Sequence, residues 1–250
     1  MTERDPGRKA RVIPRAKRPS PQGLFERTMA LGARLPGTPG FICRRKLKRR
    51  FCNRAQDTFS LVLADTGPGD LCIDLGANVG DVTRRMAATG ADVISFEPDP
   101  AAFAALQAAT AGMANVTLHP KAAGAQAETL MLRRSANWSA DDPTQHTEMS
   151  SLVRTDAKMD DANAVPVEVV DIIAFLEALG RDIRILKMDI EGAEWAILER
   201  LIAQPLLARI DCIFVETHER VDPARHVPLF ERLQDHAETL ERPYINLYWI

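Results

Sequence analysis

The feature that most constrains the fold of this chain is a regular alternation of strand-like and helix-like segments that begins at residue 71. Short apolar runs are typical of buried strands, and the segments between them repeat apolar residues at helical spacing. The predicted strands cover residues 71–74, 92–96, 116–119, 183–188, 210–216 and 244–249. The predicted helices cover residues 79–88, 100–111, 170–179, 193–202 and 223–236. This alternation predicts the α/β class, with a doubly wound, mostly parallel sheet that helices cover on both faces.

Charge divides the chain into two parts. Residues 1–54 contain 16 Lys and Arg against 3 Asp and Glu, whereas residues 55–250 contain 16 against 31. Six prolines between positions 6 and 39 interrupt the basic part, although residues 24–35 have the pattern of a short helix. We therefore expect a basic, partly disordered N-terminal extension over residues 1–54, loosely packed until about Phe41, and a folded domain over residues 55–250.

The densest basic cluster of the extension is RRKLKRR at residues 44–50. Such a cluster attracts the phosphate groups of RNA, anionic lipid or a charged substrate. Without interleaved aromatic residues, it is also typical of a solvated helix or of a segment that docks on its own acidic domain. Two interpretations therefore stay open, contact with an anionic partner and a structural role within the chain.

Cysteine usage and hydropathy indicate a protein of the cytoplasm. The sequence contains no run of 18 apolar residues, and its N-terminus lacks the apolar centre of a signal peptide. Cys72 and Cys212 lie in apolar, strand-like runs, while Cys43 and Cys52 lack the spacing of a zinc site. We expect four reduced, structural cysteines, no transmembrane segment and a cytoplasmic location.

The first predicted strand ends in a glycine-rich turn, DLGANVG at residues 74–80, that leads into a helix. Gly76 permits a tight turn and a close approach of a ligand to the backbone, and Gly80 permits close packing of the helix start. Glu97 follows Asp74 by 23 residues. It lies at the tip of the next strand, where a carboxylate can accept both hydrogen bonds from a ribose diol. Together these residues predict a nucleoside-binding site.

The residue between the two glycines indicates which nucleoside binds. Dinucleotide-binding folds have a glycine where this chain has Asn78, because that glycine admits a pyrophosphate to the start of the helix. A side chain there obstructs a pyrophosphate, and the acidic Asp74 repels phosphate but attracts an ammonium or sulfonium group. The pattern favours S-adenosylmethionine, with an NAD(P)-dependent oxidoreductase as the alternative.

A second group of polar residues follows two strands that are expected to be neighbours in the sheet. Asp189 and Glu191 come directly after the strand 183–188, and Glu216 and His218 lie on one side of the end of the next strand. A carboxylate near an imidazole suits general-base chemistry on a hydroxyl group. The spacing matches no known metal motif, so we assign no metal ligand here. Glu194 is expected only to favour the positive N-terminus of the following helix.

Three sequence blocks resemble the FkbM family of S-adenosylmethionine-dependent methyltransferases. They are DLGANVG at residues 74–80, FEP at residues 96–98 and LKMDIEGAEW at residues 186–195. The resemblance covers about residues 70–218, and the third block is the most specific for the family. It implies a class I methyltransferase fold, which is Rossmann-like, with a seven-stranded sheet whose last strand is antiparallel. It also implies O-methylation with S-adenosyl-L-methionine as the cofactor.

The resemblance also assigns roles to the residues of these blocks. The residues that would line the methionine end of the cofactor are Asp74, Gly76, Asn78 and Gly80. Glu97 would hold the ribose. The candidates for catalysis are Asp189, Glu191, Glu216 and His218, of which Asp189 would lie next to the transferred methyl group.

We therefore predict in-line transfer of a methyl group to a hydroxyl of a small molecule, sugar or glycan. Asp189 and His218 would orient the acceptor, and one of them would act as base. The alternative from another class is a non-catalytic or RNA-associated protein on the same fold. Residues 128–169 form a long insert that we expect to cover the substrate. Its polar and aromatic residues include Trp138, His146, Ser150 and Ser151.

Overall fold

The computed structural model of the chain describes residues 11–15, 19–135, 159–219 and 222–249. The strands in this part of the chain are β1 Leu71–Leu75, β2 Asp92–Phe96, β3 Val116–His119, β4 Ala122–Gly124, β5 Glu128–Ser135, β6 Met159–Asp171, β7 Ile183–Met188, β8 Ile210–Val215 and β9 Tyr244–Asn246. The helices are α1 Gly23–Gly32, α2 Gly37–Ala64, α3 Asp81–Ala87, α4 Pro100–Ala109, α5 Ile172–Leu179, α6 Glu194–Leu201 and α7 Pro223–Thr239.

The main sheet has six strands in the order β3-β2-β1-β7-β8-β9, and each neighbouring pair is parallel. The central strands β1, β7 and β8 are buried along their whole length, because helices cover both faces of a parallel sheet. The predicted α/β, doubly wound fold is confirmed. The order of winding reverses between β1 and β7, and the crevice at the carboxyl ends of such a pair is where open α/β sheets bind ligands.

The predicted antiparallel last strand is wrong for β9. This strand pairs with β8 in parallel, with Cys212 opposite Tyr244 and Phe214 opposite Asn246. Helix α7 connects the two strands. Such a helical crossover returns the chain to the end of the sheet at which β8 begins, so β9 runs in the same direction as β8. The predicted strand 244–249 also ends early, at Asn246.

The described parts of the insert belong to a second, smaller sheet. Strand β6 pairs with β4 in parallel and with β5 in antiparallel orientation. Arg134 of β5 donates two hydrogen bonds, of 2.7 and 2.9 Å, to the buried carboxylate of Asp99. Asp99 caps the N-terminus of α4, so this ion pair fastens the small sheet beside the tip of β2. The predicted strand pieces 128–133 and 165–169 lie in β5 and β6, whereas the piece 149–153 falls outside the described residues.

Helix α2 joins the basic part of the chain to the core. It runs without a break past Arg54, so the predicted boundary between extension and domain does not coincide with the end of an element. It also begins at Gly37, before the point where the sequence predicted firm packing. Within the described part of the chain, no helix is both long enough and apolar enough to cross a bilayer.

The C-terminal half of α2 packs against the sheet. Its buried residues recur at spacings of three and four, which places them on one face of the helix, and they are Cys52, Ala55, Phe59 and Val62. Phe59 contacts the rings of Phe214 and Trp249, with centroid distances of 5.1 and 4.4 Å. All four cysteines of the chain are described, and all are free thiols, as predicted.

Candidate active site

The carboxyl ends of β1, β2, β7 and β8 meet at one edge of the main sheet. The hydrogen-bond ladder continues past the strand ends: the N–H of Asp189 donates to the carbonyl of Leu75 at 3.0 Å, and the N–H of Glu216 donates to the carbonyl of Met188 at 2.9 Å. The backbone therefore holds the loops after β1, β7 and β8 in fixed register, and their side chains share one site.

The turn after β1 requires its glycines. Gly76 has a φ of 78°, and a Cβ atom at this residue would lie 1.8 Å from the carbonyl oxygen of Asp189. Gly80 has a φ of 94°, and its Cβ would meet Leu106 of α4 at 2.7 Å, so the close packing predicted at this helix start is observed. Gly76 thus permits the approach of another loop, rather than only the approach of a ligand that the sequence suggested.

Glu97 lies at the tip of β2 and faces the same turn. Its two carboxylate oxygens accept hydrogen bonds from the N–H groups of Asn78 and Asp99, both at 2.8 Å. Asn78 has a φ of 47°, a left-handed conformation that asparagine adopts more readily than most residues. Burial raises the pKa of Glu97 to about 7, although the two backbone hydrogen bonds favour the ionised form.

A buried lysine lies beneath the turn. The ammonium group of Lys187 donates to the carbonyl of Gly76 at 2.7 Å, and it lies 3.2 Å from Asp74 and 3.7 Å from Asp189. Burial opposes its charge, but these two carboxylates outweigh burial and raise the pKa of Lys187. Asp74 is fully buried and also accepts from the hydroxyl of Thr83 at 2.7 Å. Its side chain therefore supports the site from beneath, whereas Asp189 is one-third exposed.

His218 occupies the centre of the second group of polar residues and is almost completely buried. The buried carboxylate of Glu194 accepts from the His218 backbone N–H at 2.9 Å, lies 3.0 Å from its Nδ1 and accepts from the N–H of Gly192 at 2.8 Å. The carboxylate of Glu191 lies 3.5 Å from Nε2. Burial disfavours a charged ring, but the nearby carboxylates of Glu191 and Glu194 outweigh burial and raise the pKa of His218 to about 10.

Asp189, Glu216 and His218 form a compact triad. One ligand atom from each side chain lies within 4.8 Å of the other two. Burial, together with the charge of Asp189, raises the pKa of Glu216 to about 7. Burial likewise raises the pKa of Asp189, with Lys187 and His218 acting in the opposite direction. The triad therefore combines two carboxylates that share a small volume with an imidazole whose orientation is fixed.

The structure brings the predicted residues together in two groups at one sheet edge. The first group surrounds the turn after β1 and comprises Gly76, Asn78, Gly80 and Glu97. The second comprises Asp189, Glu191, Glu216 and His218. Asp74 lies between the groups but below the surface. Trp195 packs in the core and stacks on His226, with ring centroids 5.1 Å apart.

Sequence reasoning missed Lys187 and underestimated Glu194. Lys187 is one of two charged residues, with Arg184, in an otherwise apolar predicted strand, and a lysine in a buried strand needs carboxylate partners. That signal could have identified it. Glu194 could not be separated from an ordinary helix-start acid, because its direction depends on the position of His218 in the neighbouring loop. Trp138, His146, Ser150 and Ser151, which the sequence placed in a substrate-covering insert, fall outside the described residues.

Two known proteins are similar to parts of this chain. Over 55 residues, or 22% of this chain and 19% of the relative, the chain is 42% identical to ribosomal RNA small subunit methyltransferase A of Moorella thermoacetica. It also matches the crystal structure of methyltransferase FkbM from Methylobacillus flagellatus KT with 18% identity and a TM-score of 0.31, over 53% of this chain and 28% of that one. The chain therefore spans less than a third of the length of either relative.

The family comparison covers more of the chain. The model of the methyltransferase FkbM domain matches residues 74–240, which run from Asp74 at the end of β1 through the last turns of α7. The match includes both groups of site residues and the loops that carry them. The chain therefore belongs to the methyltransferase FkbM domain family.

Proposed function

We propose that this protein is an S-adenosylmethionine-dependent methyltransferase that methylates a hydroxyl group of a small molecule or glycan. The observation that carries the proposal is the meeting of two chemically different groups at the switch point of the sheet. The turn after β1 with Glu97 suits a nucleoside, and the triad of Asp189, Glu216 and His218 suits a hydroxyl acceptor. Membership of the FkbM domain family supports this assignment over an NAD(P)-dependent oxidoreductase.

The residues around the turn fit the cofactor. Each oxygen of Glu97 accepts one backbone hydrogen bond, which leaves each of them a lone pair for a hydroxyl of the ribose. Asn78 occupies the place where a dinucleotide fold has a glycine. When bound, S-adenosylmethionine supplies a methyl group on a sulfonium; its transfer forms an O–C bond, breaks an S–C bond and releases the hydroxyl proton.

The acceptor side would depend mainly on positioning. Holding two reactants in line contributes roughly 7–11 kcal/mol, whereas general-base assistance contributes about 10²- to 10⁴-fold in rate. Asp189 and His218 lie on loops that the backbone ladder and Glu194 fix in place. We propose that these two side chains orient the acceptor hydroxyl and that a carboxylate of the cluster takes its proton.

Cofactor choice is tested by calorimetric titration with S-adenosylhomocysteine and with NAD. We expect binding of S-adenosylhomocysteine and none of NAD. Glu97→Ala should weaken S-adenosylhomocysteine roughly 10- to 100-fold, because hydrogen bonds to a charged group are worth about 1.5–3 kcal/mol. The matched control is Glu177→Ala on α5, an exposed carboxylate. Binding of NAD alone, or equal affinity in both variants, would contradict the assignment.

The roles of Asp189 and His218 are tested by turnover with labelled S-adenosylmethionine, after an acceptor has been found in a methyl-transfer screen. We expect Asp189→Ala and His218→Ala to lower kcat by about 10²-fold or more. Affinity for S-adenosylhomocysteine should stay close to that of the wild type, because neither side chain belongs to the nucleoside group. Unchanged kcat in both variants would refute the proposed roles.

RNA association is a second candidate function, and one observation favours it. In the N-terminal half of α2, the basic side chains that are exposed to solvent are Arg44, Arg45, Lys46, Lys48, Arg49 and Arg50. Part of this charge also serves the fold, since Lys48 pairs with Glu219 at 2.9 Å. RNA binding should weaken steeply with salt, and replacing Arg45, Lys46 and Arg49 by Gln should reduce that slope. A salt-independent signal would exclude this function.

A further inference from the structure

The ring of His218 is held by one nitrogen and offers the other to a cluster of carboxylates. From this arrangement we propose that His218 Nε2, Asp189 and Glu216 bind a divalent transition-metal cation, which would receive the acceptor hydroxyl. This inference extends the proposed methyl transfer and rests on it for its functional meaning, but the metal site itself can be tested without activity.

The first argument is the orientation of the imidazole. Glu194 is completely buried, and one of its oxygens lies 3.0 Å from His218 Nδ1. The same carboxylate accepts from the backbone N–H of His218 and of Gly192. The ring therefore donates from Nδ1 to a carboxylate that the backbone immobilises. Histidine ligands of metal ions are usually held in this way, because the second hydrogen bond fixes the tautomer and the direction of the free nitrogen.

The second argument concerns the other nitrogen. Within the described part of the chain, His218 Nε2 is buried and makes no hydrogen bond. The nearest carboxylate oxygens, of Glu191 and Glu216, lie 3.5 and 3.8 Å away. A buried polar atom without a hydrogen bond is costly and calls for a partner. A metal cation that displaces the proton of this nitrogen would satisfy both the imidazole and the carboxylates around it.

The third argument is distance. Ligand atoms from Asp189, Glu216 and His218 all lie within 4.8 Å of one another. Ligand atoms about 2.1 Å from one cation are separated by roughly 3 to 4.2 Å, depending on the angle between them. The observed spread therefore requires only small side-chain movements to close around an ion. Asp189 and Glu216 are partly exposed, which leaves room for those movements and for a further ligand from the substrate.

The fourth argument is charge. The cluster contains the carboxylates of Asp189, Glu191, Glu194 and Glu216, and Lys187 is paired first with Asp74 and more distantly with Asp189. Carboxylates this close together repel each other unless positive charge lies between them. A divalent cation in place of the His218 Nε2 proton would increase the positive charge at the centre of the group.

The ligand types indicate the class of cation. One imidazole nitrogen with two carboxylates suits Mn²⁺, Zn²⁺ or Fe²⁺ better than Ca²⁺ or Mg²⁺, which prefer oxygen ligands throughout. A cation in this position would bind the acceptor oxygen, lower the pKa of its hydroxyl and fix its direction. The hydroxyl proton would pass to a neighbouring carboxylate or to water, and the acceptor oxygen would then form its bond to the methyl carbon.

The test is a titration of the chelator-treated full chain with Mn²⁺ alone. The electron paramagnetic resonance signal of the free ion measures how much Mn²⁺ stays unbound. We expect one ion per chain. Glu216→Gln and Asp189→Asn should each weaken binding at least 10-fold, and Glu194→Gln roughly 10- to 100-fold through loss of the support to His218. The matched control is Glu199→Gln on α6, whose side chain is exposed, and circular dichroism checks that each variant folds.

Absence of Mn²⁺ binding in the wild type, or equal binding in all variants, would overturn the metal site. A parallel titration with S-adenosylhomocysteine separates this result from the proposed function. If the protein binds S-adenosylhomocysteine but does not bind Mn²⁺, the metal site is refuted and the methyltransferase assignment stays intact. If the protein binds Mn²⁺ but does not bind S-adenosylhomocysteine, the methyltransferase assignment is refuted and the metal site stays intact.

Discussion

At the scale of single residues, the site depends on charges that the fold removes from water. Glu97 is the clearest example, because its carboxylate is buried and its hydrogen bonds come from backbone N–H groups. These two hydrogen bonds offset only part of the burial, and the pKa stays near 7. The protein therefore holds a carboxylate at the tip of β2 at a cost in stability, as is common at binding sites.

This cost predicts a specific pH dependence of the free energy of unfolding. The folded-state pKa of Glu97 is about 7, above the ordinary value of 4.5, so the unfolded chain releases this proton first as the pH rises. The stabilising contribution of Glu97 to the free energy of unfolding is fully present below pH 4.5 and is lost as the pH rises through 7. Between pH 5 and pH 8, the free energy of unfolding of the wild type should fall by roughly 2–3 kcal/mol relative to that of Glu97→Gln, whose side chain cannot ionise.

Urea denaturation of both proteins at pH 5 and pH 8 measures this difference. Other titrating groups contribute equally to both proteins and cancel in the comparison. If the free energies of unfolding of wild type and Glu97→Gln differ by the same amount at both pH values, then the pKa of Glu97 is not raised in the folded protein.

At the scale of elements, α2 shows how one helix can serve two environments. Its N-terminal half carries exposed basic residues, whereas its C-terminal half is part of the core. Phe59 is completely buried, and its ring contacts Phe214 of β8. From Cys52 onward, α2 therefore contributes a core layer over the sheet.

The element-scale prediction compares two residues of α2. Phe59→Ala should destabilise the protein by about 3–5 kcal/mol, because it leaves a cavity between the helix and β8. Leu61→Ala, two residues away, should change stability by less than about 1 kcal/mol, since Leu61 is 54% exposed. Urea denaturation measures both. Similar, small effects would mean that α2 is not part of the core.

At the scale of the whole molecule, a network of ion pairs lies at the opposite end of the sheet from the candidate active site. Asp211, at the start of β8, lies 2.6 Å from Arg11, 3.3 Å from Arg184 and 2.6 Å from Arg242. It thereby links the N-terminal segment, β7 and the chain that leads into β9. Arg184 is completely buried, so the network must keep its charge paired.

This arrangement predicts a loss of stability without a loss of cofactor binding. Asp211→Ala should cost about 3–5 kcal/mol, because it leaves buried guanidinium charge without one of its partners. The control is Asp182→Ala, whose side chain is 56% exposed and lies 3.6 Å from Arg209; it should cost less than about 1 kcal/mol. Folded Asp211→Ala should bind S-adenosylhomocysteine like the wild type in calorimetry. Weakened binding at unchanged stability would contradict the separation of the two edges.

The sequence predicts most of the main sheet because its strands are short, apolar and separated by clear helical patterns. The bounds of β2, β3 and β7 match the predicted ranges. Helix α2 was missed as a core element because its basic cluster and the preceding prolines dominate the local pattern, although buried residues recur at helical spacing after residue 51. The predicted direction of β9 was wrong because it came from the family resemblance and not from local sequence.

The sequence predicts which polar residues lie close together at the candidate site but not their mutual orientation. Residues at the carboxyl ends of neighbouring parallel strands lie at the same end of the sheet, and Asp189, Glu216 and His218 do lie close together there. Whether an acid after a strand faces solvent, a helix start or a neighbouring histidine depends on loop conformation. Glu194 illustrates this limit, since its contact with His218 joins the start of α6 to the loop after β8.

The contact between Gly76 and the carbonyl of Asp189 has a consequence for how binding at one loop affects binding at the other. The loop that would hold the nucleoside and the loop that would hold the acceptor touch through their backbones, without a flexible side chain between them. A ligand that shifts either loop must therefore shift the other. Binding at the two loops is then thermodynamically linked, and each ligand changes the affinity of the other by the same factor.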